Sequence, residues 1–70
     1  MVIIMHKYEG KWTTDNSDLY IVIHKVFYVG KEYIKCKMSL INKRNGIVYD
    51  RNKGHKFHFK NIKHWKRYSE

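Results

Sequence analysis

The stretch LYIVIHKVFYVGKEYIKCKMSLI, residues 19–41, decides the fold. Its first part, Leu19–Val29, is an almost unbroken run of β-branched and aromatic residues, side chains that suit a pleated, half-buried surface. Residues 33–41 then alternate, with Tyr33, Lys35 and Lys37 on one side and Ile34, Cys36, Met38 and Leu40 on the other. A period of two is the strand signature. Gly30-Lys31 between the runs suits a two-residue turn with glycine at the first central position, as type II′ requires. Such a turn sets the register: Phe27 faces Ile34, Ile23 faces Met38 and Ile21 faces Leu40 on one apolar face. The other face carries Tyr20, Val22, His24, Val26 and Tyr28 beside Tyr33, Lys35 and Lys37. A four-residue loop keeps this pairing and an odd loop shifts it by one. Lys25 interrupts the apolar face opposite Cys36. A buried ammonium is costly, so the pattern predicts a β-bulge, a strong bend or a barrel rim near Lys25.

Outward from this hairpin, residues 2–8 read as a first strand ended by Glu9-Gly10, and residues 11–18 as a polar loop whose Trp12 caps one end of the core. Asn42-Lys43-Arg44-Asn45-Gly46 is the clearest turn, with Asn45-Gly46 supplying residues that tolerate positive φ. Residues 47–50 read as a short strand, Arg51-Asn52-Lys53-Gly54 as a second basic turn, and residues 55–60 as a further strand. In that strand His55, Phe57 and Phe59 share one face and Lys56, His58 and Lys60 the other. Asn61 can cap a helical or 3₁₀ turn in which Ile62 and Trp65, three apart, face the core. Residues 66–70 read as a frayed or partly ordered tail. The expectation is a single all-β domain over residues 1–70: a five-stranded antiparallel meander or barrel with a short C-terminal helical turn. Its element order resembles that of SH3-like barrels, including Tudor and KOW-type modules. The OB-fold is the second choice, because its helix between strands three and four has no room between Asp50 and His55.

Seventy residues leave no space for a second core or a deep cleft. The single cysteine excludes an internal disulfide and a cysteine-rich zinc site. Residues 1–5 are too short for a signal-peptide core, and no run approaches the roughly 20 apolar residues of a membrane helix. A soluble cytoplasmic protein, not associated with a membrane, is therefore expected. Alanine, proline and glutamine are absent, while Lys, Ile, Asn and Tyr supply 31 of the 70 residues. All four have AT-rich codons, which points to a low-GC bacterial or phage source.

The net charge of +9 is uneven: residues 1–30 sum to zero and residues 31–70 carry all of it. Such asymmetry suggests a polyanion surface, for which nucleic acid, DNA or RNA, is the commonest partner. Binding a single strand needs rings for bases and cations for phosphates. Tyr20, Tyr28 and Tyr33 with His24, Lys35 and Lys37 supply both, and Lys43, Arg44, Arg51, Lys53, Lys56 and Lys60 extend the track. The competing reading is a lysine-rich coding bias, with tyrosines serving only as good sheet residues. Three arginines are too few for bidentate base reading to dominate, so weak sequence specificity is expected. About five phosphate contacts would give log K against log salt a slope near −4 to −5. The five histidines lack a chelating spacing, so no metal or other cofactor is expected. Cys36 sits on the apolar face and no carboxylates pair, so catalysis is not expected. Gly46-Ile47-Val48-Tyr49 resembles half of the GIY-YIG nuclease signature, but no second half accompanies it downstream. The sequence thus points to a non-catalytic nucleic-acid-binding accessory or regulatory protein of a phage or mobile element. The alternatives are a module that binds and modulates a host enzyme (host takeover), and a minor virion protein. The oligomeric state is left open by the sequence, because the apolar residues 1–5 could pair with a second copy to form a dimer.

Overall fold

The computed structural model describes residues 6–68. They form an antiparallel meander of four strands: β1 (Gly10–Thr13), β2 (Leu19–Val29), β3 (Tyr33–Asn42) and β4 (Val48–His58), followed by a short helix α1 (Phe59–Ile62). The sheet is open, with strand order β1-β2-β3-β4, so the all-β expectation holds at this coarser level. The five-stranded closed arrangement is not what the described residues build. The expected first strand lies partly outside them, since residues 2–5 are not described, and residues 6–8 form a turn. Its place at the sheet edge is taken by β1, drawn from the stretch read as a polar loop. The expected strands at 47–50 and 55–60 are one strand, β4.

The alternation of β3 is realised as read. Ile34, Cys36 and Met38 are buried, whereas Lys35 and Lys37 are exposed. The hairpin register is correct far from the turn, with Ile21 opposite Leu40 and Ile23 opposite Met38. Nearer the tip it differs. The Gly30 N–H donates to the Tyr33 carbonyl at 2.8 Å, which leaves Lys31 and Glu32 as the tip residues, and Val29 faces Ile34. Gly30 is not in the left-handed region that a type II′ turn requires. Two irregularities in β2, between Ile23 and Lys25 and between Val26 and Tyr28, absorb the difference. Each extra residue flips the side chains beyond it to the other face. Val26 therefore turns to the core, opposite Cys36, and Phe27 turns outward with 55% of its surface exposed. Lys25 leaves the apolar face and lies opposite Lys37. The predicted bulge is present, and desolvation of the ammonium is what it avoids.

β4 runs through the expected basic turn. The β3–β4 register shifts around Ser39, and Asn52 takes a positive φ of 51°. The Ser39 hydroxyl, 4% exposed, accepts the Asn52 N–H at 2.9 Å and contacts His24 Nε2 at 2.7 Å. One serine thus joins the irregular points of two strands. The 42–46 turn is as read: Gly46 N–H donates to Asn42 O, while Asn42 Oδ1 accepts from Arg44 N–H.

The core is Ile21, Ile23, Ile34, Cys36, Met38 and Phe57, covered by Tyr8, Trp12, Val26, Leu40, Phe59, Ile62 and Trp65. Ile62 and Trp65 pack as expected, although His58 rather than Asn61 occupies the helix N-cap position. Of the tail, residues 66–68 are ordered along β1. Thr13 N–H donates to Lys66 O, Tyr68 N–H donates to Lys11 O, and Trp12 bridges to Arg67. The Arg67 guanidinium lies 4.0 Å from the Trp12 ring centroid and donates to the carbonyls of Lys7 and Glu9. Gly10, at φ 115°, lets it pass: a Cβ there would meet the guanidinium at 2.6 Å.

Candidate nucleic-acid interface

The outer face of the sheet is built by the register. Tyr28 on β2 lies opposite Lys35 on β3, which lies opposite Lys56 on β4. The next row toward the tip holds Tyr33 and His58, and the next row away from it holds Lys25, Lys37 and Gly54. Two lysine pairs, Lys25 with Lys37 and Lys35 with Lys56, are thus directly cross-strand. Like charges so placed are destabilising in a sheet. No carboxylate among the described residues relieves them. Asp50 pairs with Lys53 at 3.8 Å, Asp18 with Arg44 at 3.4 Å, and Asp15 with His64. Glu9 accepts the N–H groups of His6 and Val26. Glu32 lies at the tip in a shallow depression shared with Lys31, His58 and Lys60.

Rings run beside these cations. Tyr28 and Tyr33 have centroids 5.6 Å apart, and Tyr33 and His58 5.7 Å. The Lys56 ammonium lies 4.6 Å from the Tyr33 centroid. Tyr28 folds back over Gly30, where a Cβ would sit 2.9 Å from its ring. The row is therefore held by a residue with no side chain beneath it, and Tyr28 stays half exposed.

The expected site residues divide into groups. Tyr28, Tyr33, Lys35, Lys37 and Lys56 come together, and Lys60 flanks them across the tip depression. Tyr20, Lys43 and Arg44 lie at the far end of the hairpin, about 25 Å away at ~3.3 Å per residue. There Tyr20 stacks on Tyr68 at 4.6 Å and Lys43 covers Tyr68 at 5.0 Å. His24 is engaged with Ser39. Lys53 shares a face with Met38 rather than with the lysine rows, and Arg51 belongs to the irregular part of β4. Lys25, Lys31 and His58 join the tip group without having been expected there. The alternation of Lys56 and His58 held the signal for His58, but its pairing with Tyr33 needed the β3–β4 register. For Lys25 the signal was its misfit on the apolar face, which predicts the bulge; that the bulge sets it opposite Lys37 needed the β2–β3 register.

On the opposite side, Tyr8, Trp12, Ile23, Phe59, Ile62 and Trp65 line an open apolar groove of about 320 Å³ with Lys63 at its rim. Among the described residues no cluster of His, Cys, Asp or Glu has a metal-binding arrangement, and no helix is long and apolar enough to cross a membrane. No protein-family model matches the chain, and comparisons with curated proteins and with solved structures return no match.

Proposed function

We propose that this protein binds nucleic acid without catalysis and with weak sequence specificity, through the outer face around Lys25, Lys35, Lys37 and Lys56. The supporting observation is the pair of opposed lysines, Lys25–Lys37 and Lys35–Lys56, with no neutralising carboxylate among the described residues. An arrangement that costs stability in the free protein is relieved when phosphates lie between the ammonium groups. The relationship to SH3-like barrels is part of this proposal, supported by the short-looped meander, the bulged long strands and the edge bridge at residues 66–68. So is an accessory or regulatory role for a phage or mobile element, supported by the abundance of Lys, Ile, Asn and Tyr, residues with AT-rich codons.

Fluorescence anisotropy with labelled DNA and RNA oligonucleotides at 50 mM salt tests the reading, and no binding to either would overturn it. The double variant Lys35→Glu/Lys37→Glu should weaken binding at least tenfold without unfolding the domain. Lys53→Gln should change it less than twofold, because that side chain leaves the sheet on the other face. A second reading, docking on a host protein, is favoured by the exposed run Phe27, Tyr28 and Val29 at the hairpin tip. Such a run suits the apolar centre of an interface with lysines at its rim. Complexes of that kind would persist at 0.5 M salt, where phosphate contacts fail.

A further inference from the structure

We propose that the tip of this face takes a single strand of DNA or RNA in preference to a duplex, with Tyr28 and Tyr33 stacking on bases and Lys35, Lys37 and Lys56 contacting phosphates. The inference deepens the nucleic-acid-binding reading and rests on it. A duplex buries the faces of its bases in its own stack, so a protein that holds only its backbone needs cations and has no use for rings. Here cations and rings occupy adjacent rows of one face. Tyr28 contributes nothing to the buried core and keeps 49% of its surface exposed. Its ring is nevertheless held, packed over Gly30 and 5.6 Å from Tyr33. A half-exposed but positioned ring is what a stacking platform requires.

Lys56 connects the two functions. In the free protein its ammonium lies over the Tyr33 ring, on a face that a base would occupy. An incoming base displaces it, and the freed ammonium stands beside Lys35, its cross-strand neighbour, within the phosphate track. The exchange replaces an exposed cation–π contact by the stronger base–aromatic stack and adds a phosphate contact. Rings stack on any base, so the preference is for single strands as such and not for a sequence.

The test compares labelled twelve-nucleotide oligo-dT and oligo-U with a twelve-base-pair duplex, by anisotropy on the full chain at 50 mM salt. Single strands should bind at least tenfold more tightly than the duplex. Tyr33→Leu should weaken single-strand binding fivefold or more, and by a larger factor than it weakens duplex binding, while Tyr33→Phe retains both. Equal affinity for the duplex and the single strands in the unaltered chain overturns the inference, even if both bind well and the basic face keeps its general role. Absence of binding to every oligonucleotide overturns the inference together with the functional reading. The comparison on the unaltered chain does not depend on whether any variant folds.

Discussion

Cys36 lies at the middle of β3, 1% exposed, and burial pushes its thiol up to about 11. Desolvation favours the neutral thiol in the folded chain, so between pH 9 and 11 the unfolded chain ionises and the folded one does not. The unfolded state then binds fewer protons, and stability falls as pH rises through that window. The stabilisation is complete below pH 9 and amounts to roughly 2–3 kcal/mol across the shift. Urea melts at pH 8 and 10.5 should show this loss in the parent chain and a smaller one in Cys36→Ala. Thiol labelling of the native protein should be slow and become fast only on unfolding. Ile34, with no exposed surface, should cost about 2–5 kcal/mol when cut to alanine. The two phenylalanines Phe57 and Phe27 give the sharpest contrast. Phe57 is buried and Phe27 is not, so Phe57→Ala should cost about 3–5 kcal/mol and Phe27→Ala within about 0.5 kcal/mol, read from the same melts.

At the scale of elements, the two long strands are shaped by where their regular pairing fails. Alternation of Ile34, Cys36 and Met38 against Lys35 and Lys37 was legible because β3 is regular through that segment and lies between two neighbours. In β2 only Lys25, Val26 and Phe27 depart from the simple alternation, since the irregularity at His24 inverts the facing beyond it and the one at Phe27 restores it, leaving Tyr28 beside Lys35 as read. A bulge is one extra residue, and simple alternation cannot say where it falls. Lys25 announced one by being intolerable on the apolar face, but the second, which expels Phe27, left no such mark. The turn composition of Arg51-Asn52-Lys53-Gly54 predicts a break in what is one strand, β4; Asn52 does take a positive φ, within that continuous strand. Ser39 fastens this region through Asn52 N–H and His24. Ser39→Ala leaves that N–H without its partner and should cost about 1–3 kcal/mol by equilibrium denaturation. Lost amide-exchange protection at Asn52, measured by NMR, should accompany it.

The whole molecule is a thin body, 35 × 33 × 21 Å, the proportions of one sheet covered on one side. The sheet's two edges are treated differently. The β1 edge is covered by residues 66–68. The β4 edge has no strand beside it among the described residues, and Arg51, Lys53 and Lys56 make it a poor template for another chain. Removing the residues after Trp65 deletes two backbone hydrogen bonds, the Tyr20–Tyr68 stack and the Arg67 contacts. Such a truncation should cost on the order of 2–3 kcal/mol in thermal or urea unfolding. With one side of the sheet covered, the proposed nucleic-acid contact falls on the opposite face. If Lys25, Lys35, Lys37 and Lys56 each meet a phosphate, log K should fall with log salt at a slope near −3 for single strands. A titration of oligonucleotide affinity from 50 to 300 mM salt measures it.

Composition and local pattern by themselves determined that the chain forms strands, that residues 19–41 make a hairpin, and that Ile21, Ile23, Ile34, Cys36 and Met38 belong inside. The turn at 42–46 and the packing of Ile62 and Trp65 were also within reach of sequence, since each arises from side chains close together in the chain. Tertiary structure alone decided which strand lies at the edge, because β1 is defined by its partners: Ile23 to Tyr20 on one side and residues 66–68 on the other. It also decided the membership of the basic face. Charge counting placed the excess beyond residue 30, yet Lys25 joins that face and Lys53 leaves it. Side-chain direction in a strand depends on every pairing between it and the turn, so a single bulge reassigns residues whose own chemistry is unchanged.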